Sequence, residues 1–340
     1  IGSSLSGTVN GDELVSGVGA TIVGAQYSTT NNLKASATPY AITSSIGDLG
    51  YSVSGGGSGS LTVNPKAIAV SGTVTANPKV YDGGVAATLD VSGATLSGVI
   101  GNDVVSVATG AGSFADRHVG TSKTVTLSGA TLAGADADNY SASISGTTTA
   151  NITQLASATW VGASGGDWSL ASNWAVTGNL GQTGVLPDAG NVVLAIIPST
   201  FSGNVVASTA HGHAGKIQVL GGTLSVASDD YLGAAPGSAV ADQITLAGGR
   251  LKATNDFTMN ANRGITLGAG GGSIEVDADK EFTYGGVIGG TTGLTKTGTG
   301  TLTLTGANTY DGATTIGAGS LRLGNGTTAG SLDPQSAVSV

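Results

Sequence analysis

One phrase recurs through the C-terminal half of the chain: an apolar strand, a glycine-rich corner, then a second apolar strand. Residues 216–226 (KIQVLGGTLSV) return as 243–253 (QITLAGGRLKA), and the same order runs through 264–276, 293–304 and 315–323. The lead residues Ile217, Ile244, Ile265, Leu294 and Ile316 are spaced 27, 21, 29 and 22 residues apart. Spacings of twenty to thirty match one coil of a parallel β-helix, with glycine at corners that need positive φ. A sandwich of hairpins has no need to repeat that phrase five times. In a coil each inward apolar side chain stacks on its counterpart in the next rung, so the core is a column. The alignment predicts one column of Leu224, Leu251, Ile274, Leu302 and Leu321.

Composition narrows the remaining classes. Glycine accounts for 59 of 340 residues and charged side chains for only 10%, against a typical quarter. With 39% hydrophobic residues and so few charges, the chain does not have the signature of a disordered one. Seven prolines and no three-residue glycine period exclude collagen. A net charge of −9 argues against nucleic acid as a partner. No apolar run reaches the length of a membrane span. Cysteine is absent and methionine occurs once, which removes disulfide and thiolate chemistry and leaves little to oxidise. The chain opens at Ile1 without an initiator Met, charged n-region or apolar h-region, and reads as a piece of a longer protein.

The N-terminal half repeats on a longer period. Residues 5–12 (LSGTVNGD) resemble 96–103 (LSGVIGND), and Tyr51 corresponds to Tyr140, giving offsets of 91 and 89. A period near ninety means a tandem pair of small domains rather than solenoid rungs. The first lacks a counterpart of 66–84, so the sequence begins inside a unit. In the second, alternation predicts strands at 67–70, 87–91, 104–108, 123–127 and 141–145. Turns fall at Asn77-Pro78, Asp82-Gly83-Gly84, residues 101–103 and 136–139.

These residues carry two resemblances. Val80-Tyr81-Asp82-Gly83, followed by residues 101–105 (GNDVV) and Asn139-Tyr140, resembles the YDG-type β-domain of filamentous-haemagglutinin-like bacterial exoproteins. The first unit is similar to the mostly-β, Gly-rich module of the same proteins. Residues 285–324, with GLTKTGTGTLTLTGANTYDG at their centre, resemble the autotransporter-associated β-strand repeat of bacterial passenger domains. The resemblance implies export across an outer membrane by a dedicated transporter, and a secreted or surface location.

Four groups are candidates for chemistry. Trp160, Trp168 and Trp174 include every tryptophan in the chain. They are either a platform on which sugar rings stack or a cap on the first rung, whose open edge would otherwise be an aggregation hazard. The junction position favours the cap. Glu275, Asp277 and Asp279 alternate along one strand beside Lys280, which is the pattern of a solvated face or of a polysaccharide-cleaving site; Asp277 and Asp279 are the calcium candidates. Asp229-Asp230 and Asp136/Asp138 read as loop acids. His211 and His213 flank Gly212 without a third nearby ligand and read as a polar loop. Asn139, Asn151 and Asn325 stand in Asn-x-Ser/Thr triplets, which arise often in a chain so rich in Ser and Thr.

The expectation is an all-β chain: two small sandwich- or roll-like modules in tandem, followed by a right-handed parallel β-helix segment. The boundaries are a partial Gly-rich module at 1–65, a YDG-type module at 66–154, and a Trp-rich cap with the start of the helix at 155–340. The function expected is non-enzymatic attachment to a surface polysaccharide or cell-surface receptor, with no cofactor. The rivals are a β-helical polysaccharide-degrading enzyme and a carbohydrate-binding module centred on the tryptophans.

Overall fold

The computed structural model describes residues 18–46 and 58–340. Matches assigned to 5–12 and to Tyr51 therefore lie outside the described residues. The chain forms two compact units. One comprises Ile1–Ala76, Ala87–Ser113 and Val125–Thr148, and the other Asn77–Ala86, Phe114–Thr124 and Thr149–Val340.

The first unit holds a three-stranded sheet and most of a second, seven-stranded one. Val18–Val23 pairs antiparallel with Tyr40–Ile46, which pairs antiparallel with Ser58–Leu61. The second sheet is built on Lys66–Ala76, which pairs antiparallel with Ala86–Ser97 and parallel with Tyr140–Ser143. Its strands are longer than alternation predicts: 11 residues for Lys66–Ala76, 12 for Ala86–Ser97 and 14 for Gly120–Ala133. Ser-Gly pairs that look like strand ends lie inside these strands. At Gly72, φ is +82° and an added Cβ would sit 2.3 Å from the Gly93 carbonyl, and the ladder shifts register close by, between Thr73 and Thr75. Glycine here lies beside a bulge within a strand rather than at its end.

The second unit is dominated by a β-solenoid of about 6 turns. Its first face stacks Leu155–Trp160, Val192–Ile197, Lys216–Val219, Val240–Leu246, Arg263–Leu267 and Ile288–Gly290, all parallel. The second face runs from Gly166–Asp167 through Asn204–Ala207, Thr223–Val226, Arg250–Ala253, Gly272–Val276, Leu294–Thr297 and Thr314–Ile316 to Val338–Ser339. The third face starts later, with Phe257–Met259, Glu281–Tyr284, Thr301–Leu304 and Ser320–Leu323. Before it, the short 3-10 helix Asp229–Leu232 packs against Phe257–Met259.

The columns hold, but their phase differs from the alignment. Ile217, Ile244, Ile265 and Ile288 pair in succession, and each is buried. Leu224, Leu251 and Ile274 continue into Lys296 and Ile316, not into Leu302. Leu302 and Leu321 belong to the third face, beneath Phe257 and Phe282. Leu294 likewise starts a second-face strand. Every corner carries the same strand–glycine–strand signal, so the alignment slips by one face once the third face begins.

Lys296 thus occupies an apolar column and is fully buried. Its ammonium donates to the carbonyls of Thr297, Gly298 and Ala318 at 2.7, 2.7 and 3.1 Å. Burial pushes its pKa below the usual lysine value. The three carbonyls satisfy all three ammonium donors, which is how the column tolerates a charge.

Candidate functional site

The tryptophan stretch builds the mouth of the solenoid. Leu155–Trp160 and Gly166–Asp167 supply the first strands of the first two faces, joined through a turn with Gly165 at φ +81°. The chain then returns across the outer edge. Trp174–Val176 pairs antiparallel with Leu155–Trp160, and Asn179–Thr183 pairs with Trp174–Val176. This hairpin satisfies the edge that the first rung would otherwise expose.

The indoles point into the interior. Trp160, Trp168 and Trp174 are 2%, 1% and 0% exposed. Trp174 meets Trp160 edge-on at 5.3 Å and Trp168 at 4.5 Å. Trp174 Nε1 donates to the Trp168 carbonyl at 2.9 Å, and Trp168 Nε1 to the Pro187 carbonyl at 3.3 Å. Each buried indole contributes about 4–6 kcal/mol of gross transfer energy at roughly 25 cal/mol per Å². The stacking platform weighed from sequence meets no open ring face. A sugar could reach these rings only if the mouth unfolded.

Two residues read from sequence as a polar loop are packed here. His211 stacks on Trp168 at 5.0 Å with planes 8° apart, and His213 lies 6.0 Å from the same ring. His211 Nε2 donates to the Tyr231 carbonyl at 3.0 Å, while His213 Nε2 donates to the Lys216 carbonyl at 3.3 Å. His213 is fully buried, and its Nδ1 has no hydrogen-bond partner. Burial pulls the His213 pKa from 6.5 down to about 4 and lowers that of His211 too. Both rings are neutral at pH 7. Ala210-His211-Gly212-His213-Ala214 carries no periodic signal, so nothing in the sequence marks these rings as core.

The acidic candidates have protein partners. Glu275 pairs with Arg250 at 2.7 Å and Lys252 at 2.9 Å, and Lys252 also meets Asp277 at 2.8 Å. The two carboxylates hold the Lys252 pKa above its usual value. Asp279 occupies the following turn with φ +59°. Of the two calcium candidates, Asp277 is paired with Lys252, and Asp279 stands apart in the turn. Among the described residues no three His, Cys, Asp or Glu side chains are grouped to hold a metal. Asp229 binds Arg263, whose guanidinium is 1% exposed, at 2.9 Å. That guanidinium also donates to the carbonyls of Leu232, Gly233 and Ala234 at 3.3, 2.5 and 3.3 Å. Asp136, read as a loop acid, is buried and accepts hydrogen bonds from Thr29 and Val104. Of the three sequon asparagines, Asn139 and Asn151 accept the Ala35 and Ser122 amides, whereas Asn325 caps its own exposed turn.

What the solenoid presents outward on its second face is a ladder of hydroxyls. Ser273, Thr295, Thr315 and Ser339 occupy one register position on successive rungs, about 4.8 Å apart. Beside them runs an open groove of about 490 Å³ whose floor is bare backbone at Gly248, Gly270 and Gly271, with Thr292 on its wall. Nothing in the groove is charged. Its chemistry is that of hydrogen-bond donors and acceptors on a rigid repeat.

Residues 64–151 match the YDG domain, and residues 294–323 match the passenger-associated-transport-repeat. The chain is similar to the Adhesin BmaC autotransporter of Brucella suis biovar 1 (strain 1330), with 42% identity over 85 residues. That stretch covers 25% of this chain and 2% of the relative, so the chain spans a small fraction of the protein it matches. No solved structure matches. The likeness is to an autotransporter passenger adhesin, and it places the chain at the cell surface or outside the cell. No helix of the described residues is long and apolar enough to cross a membrane.

Proposed function

We propose that this chain is part of a non-enzymatic adhesin, delivered by an outer-membrane transporter, and that it holds cells to a surface polysaccharide. The observation that carries the reading is the hydroxyl ladder of Ser273, Thr295, Thr315 and Ser339 beside the glycine-floored groove. A polymer with repeating hydroxyls can bond successive rungs, each contact weak and the sum useful. The similarity to an adhesin supports the same reading. Against hydrolysis or lyase chemistry, Glu275 and Asp277 are engaged by Arg250 and Lys252 rather than held for proton transfer.

The test is binding of the chain to an immobilised bacterial and host glycan panel, beside the Thr295→Glu and Thr315→Glu variants. Binding that both variants weaken supports the proposal. Binding to none of the glycans, or binding indifferent to both variants, overturns it. Glycan depolymerisation abolished by Asp277→Ala would replace it with the enzyme reading.

A further inference from the structure

Two turns in this chain share a pattern that neither β-module requires. Asp136-Ala137-Asp138-Asn139 and Asp188-Ala189-Gly190-Asn191 both read Asp-Ala-x-Asn. In each the Asn amide donates back to the Asp carbonyl at 3.1 Å. Each is followed directly by a strand, Tyr140–Ser143 in one and Val192–Ile197 in the other. The first lies wholly within one compact unit and the second wholly within the other. The surrounding folds differ, since one is a sheet module and the other the first coil of a solenoid.

Both turns are occupied in the same way. Asn139 Oδ1 accepts the amide of Ala35 at 2.8 Å, and Asn191 Oδ1 accepts the amide of Val119 at 3.0 Å. Those amides belong to loops 104 and 72 residues upstream. The Asp of each turn takes a side chain from the same loop. Thr29 gives Asp136 its amide at 2.9 Å and its hydroxyl at 2.5 Å, and Arg117 gives Asp188 its guanidinium at 2.7 Å. Thr30 adds a hydrogen bond to Asp103, which the Tyr140 hydroxyl also meets at 2.8 Å. Asp136 and Asn191 are 1% and 0% exposed. The two loops are themselves near counterparts: the residues that meet the Asp, Thr29 and Arg117, lie 88 apart, and those that meet the Asn, Ala35 and Val119, lie 84 apart, close to the period of the tandem repeat.

We infer that the Asp-Ala-x-Asn turn is a docking socket for the loop tip of the β-module immediately upstream. Its Asn reads a backbone amide, which any loop sequence can present. Its Asp reads a hydroxyl or a guanidinium and so discriminates among loops. The partner is therefore a neighbouring module's loop carrying Thr or Arg beside an outward amide. Fastening of this kind needs no shared apolar core, which suits modules joined in series. The inference is independent of the adhesin reading.

Hydrogen exchange of the full chain, followed by mass spectrometry, tests it. Asn139→Ala should speed exchange of residues 26–36 about five- to tenfold, the effect of losing a hydrogen bond worth roughly 1 kcal/mol. Residues 115–122 should keep their wild-type rate in that variant. Asn191→Ala should do the reverse. Arg117→Met removes a contact from the loop side and should loosen 115–122 even if Asn191→Ala fails to fold. Wild-type exchange of the cognate loop in Asn139→Ala and Arg117→Met would overturn the socket. So would equal loosening of both loops in each, which is general destabilisation rather than docking.

Discussion

Acid should open the mouth of the solenoid before it affects the rungs, and His213 should be the cause. Its ring is fully buried against Trp168, with Nδ1 unpartnered. The titratable and charged groups that act on it are His211 and Arg263, which disfavour a proton, and Asp188, which favours one. Burial dominates and brings the folded pKa to about 4, against 6.5 in the open chain. The unfolded state therefore takes up a proton first as pH falls. Above pH 6.5 both states are neutral and the residue adds no pH dependence. Between 6.5 and 4 stability declines, and below 4 the loss is complete. At 1.36 kcal/mol per unit the full loss is about 3 kcal/mol, of which about 2 kcal/mol has appeared by pH 5. His211, also lowered, acts in the same direction. Carboxylates with depressed pKa values, Asp116 among them, lose their contribution only below their unfolded value of 3.8, which separates the two windows.

The assay follows from the composition. All three tryptophans lie in the mouth, so the urea midpoint of tryptophan emission reports that region alone. The wild-type midpoint should fall between pH 7.5 and 5. In His213→Gln, whose amide does not titrate, most of that fall should vanish although the starting stability is lower. Equal pH dependence in the two proteins would refute the argument.

Two other substitutions test the packing. Trp168→Ala should destabilise the mouth by about 3–5 kcal/mol, read from the urea midpoint of the remaining tryptophans, and should leave glycan affinity unchanged. A loss of glycan binding at unaltered stability would return the indole to the role of a sugar platform. Asp229→Ala strands the Arg263 guanidinium without its ion-pair partner and should cost about 3–5 kcal/mol in chemical denaturation, while Asp230→Ala, next in the chain, should be near neutral. Equal effects would mean that the buried pair is not what holds the 3-10 turn.

The coil was legible in the sequence because its signal is geometric: a glycine corner every twenty to thirty residues leaves few alternatives to stacked rungs. The phase of the columns was not, since all corners look alike and only strand pairing distinguishes Leu302 beneath Phe282 from Ile316 beside Lys296. The same limit hid the long strands, where Gly72 lies inside a ladder although Ser-Gly reads along the chain as a strand end. Polar residues were read least well. His213, Arg263, Lys296 and Asp136 have the composition of loops and the burial of core. Each depends on a backbone group elsewhere in the chain: the Lys216 carbonyl three residues on for His213, and the far-off Gly233 and Ala318 carbonyls and Thr29 amide for the others. In an apolar column the pattern along the chain identifies the partner, because like stacks on like. For a buried polar group the partner is a backbone atom, which every residue possesses and no sequence pattern marks. The Asp-Ala-x-Asn turn is the exception that proves readable after the fact. It occurs twice, at Asp136 and Asp188, with one hydrogen-bond pattern on two folds although Ala137 lies in a 3-10 turn and Ala189 has φ +43°, so the motif rather than its surroundings carries the information.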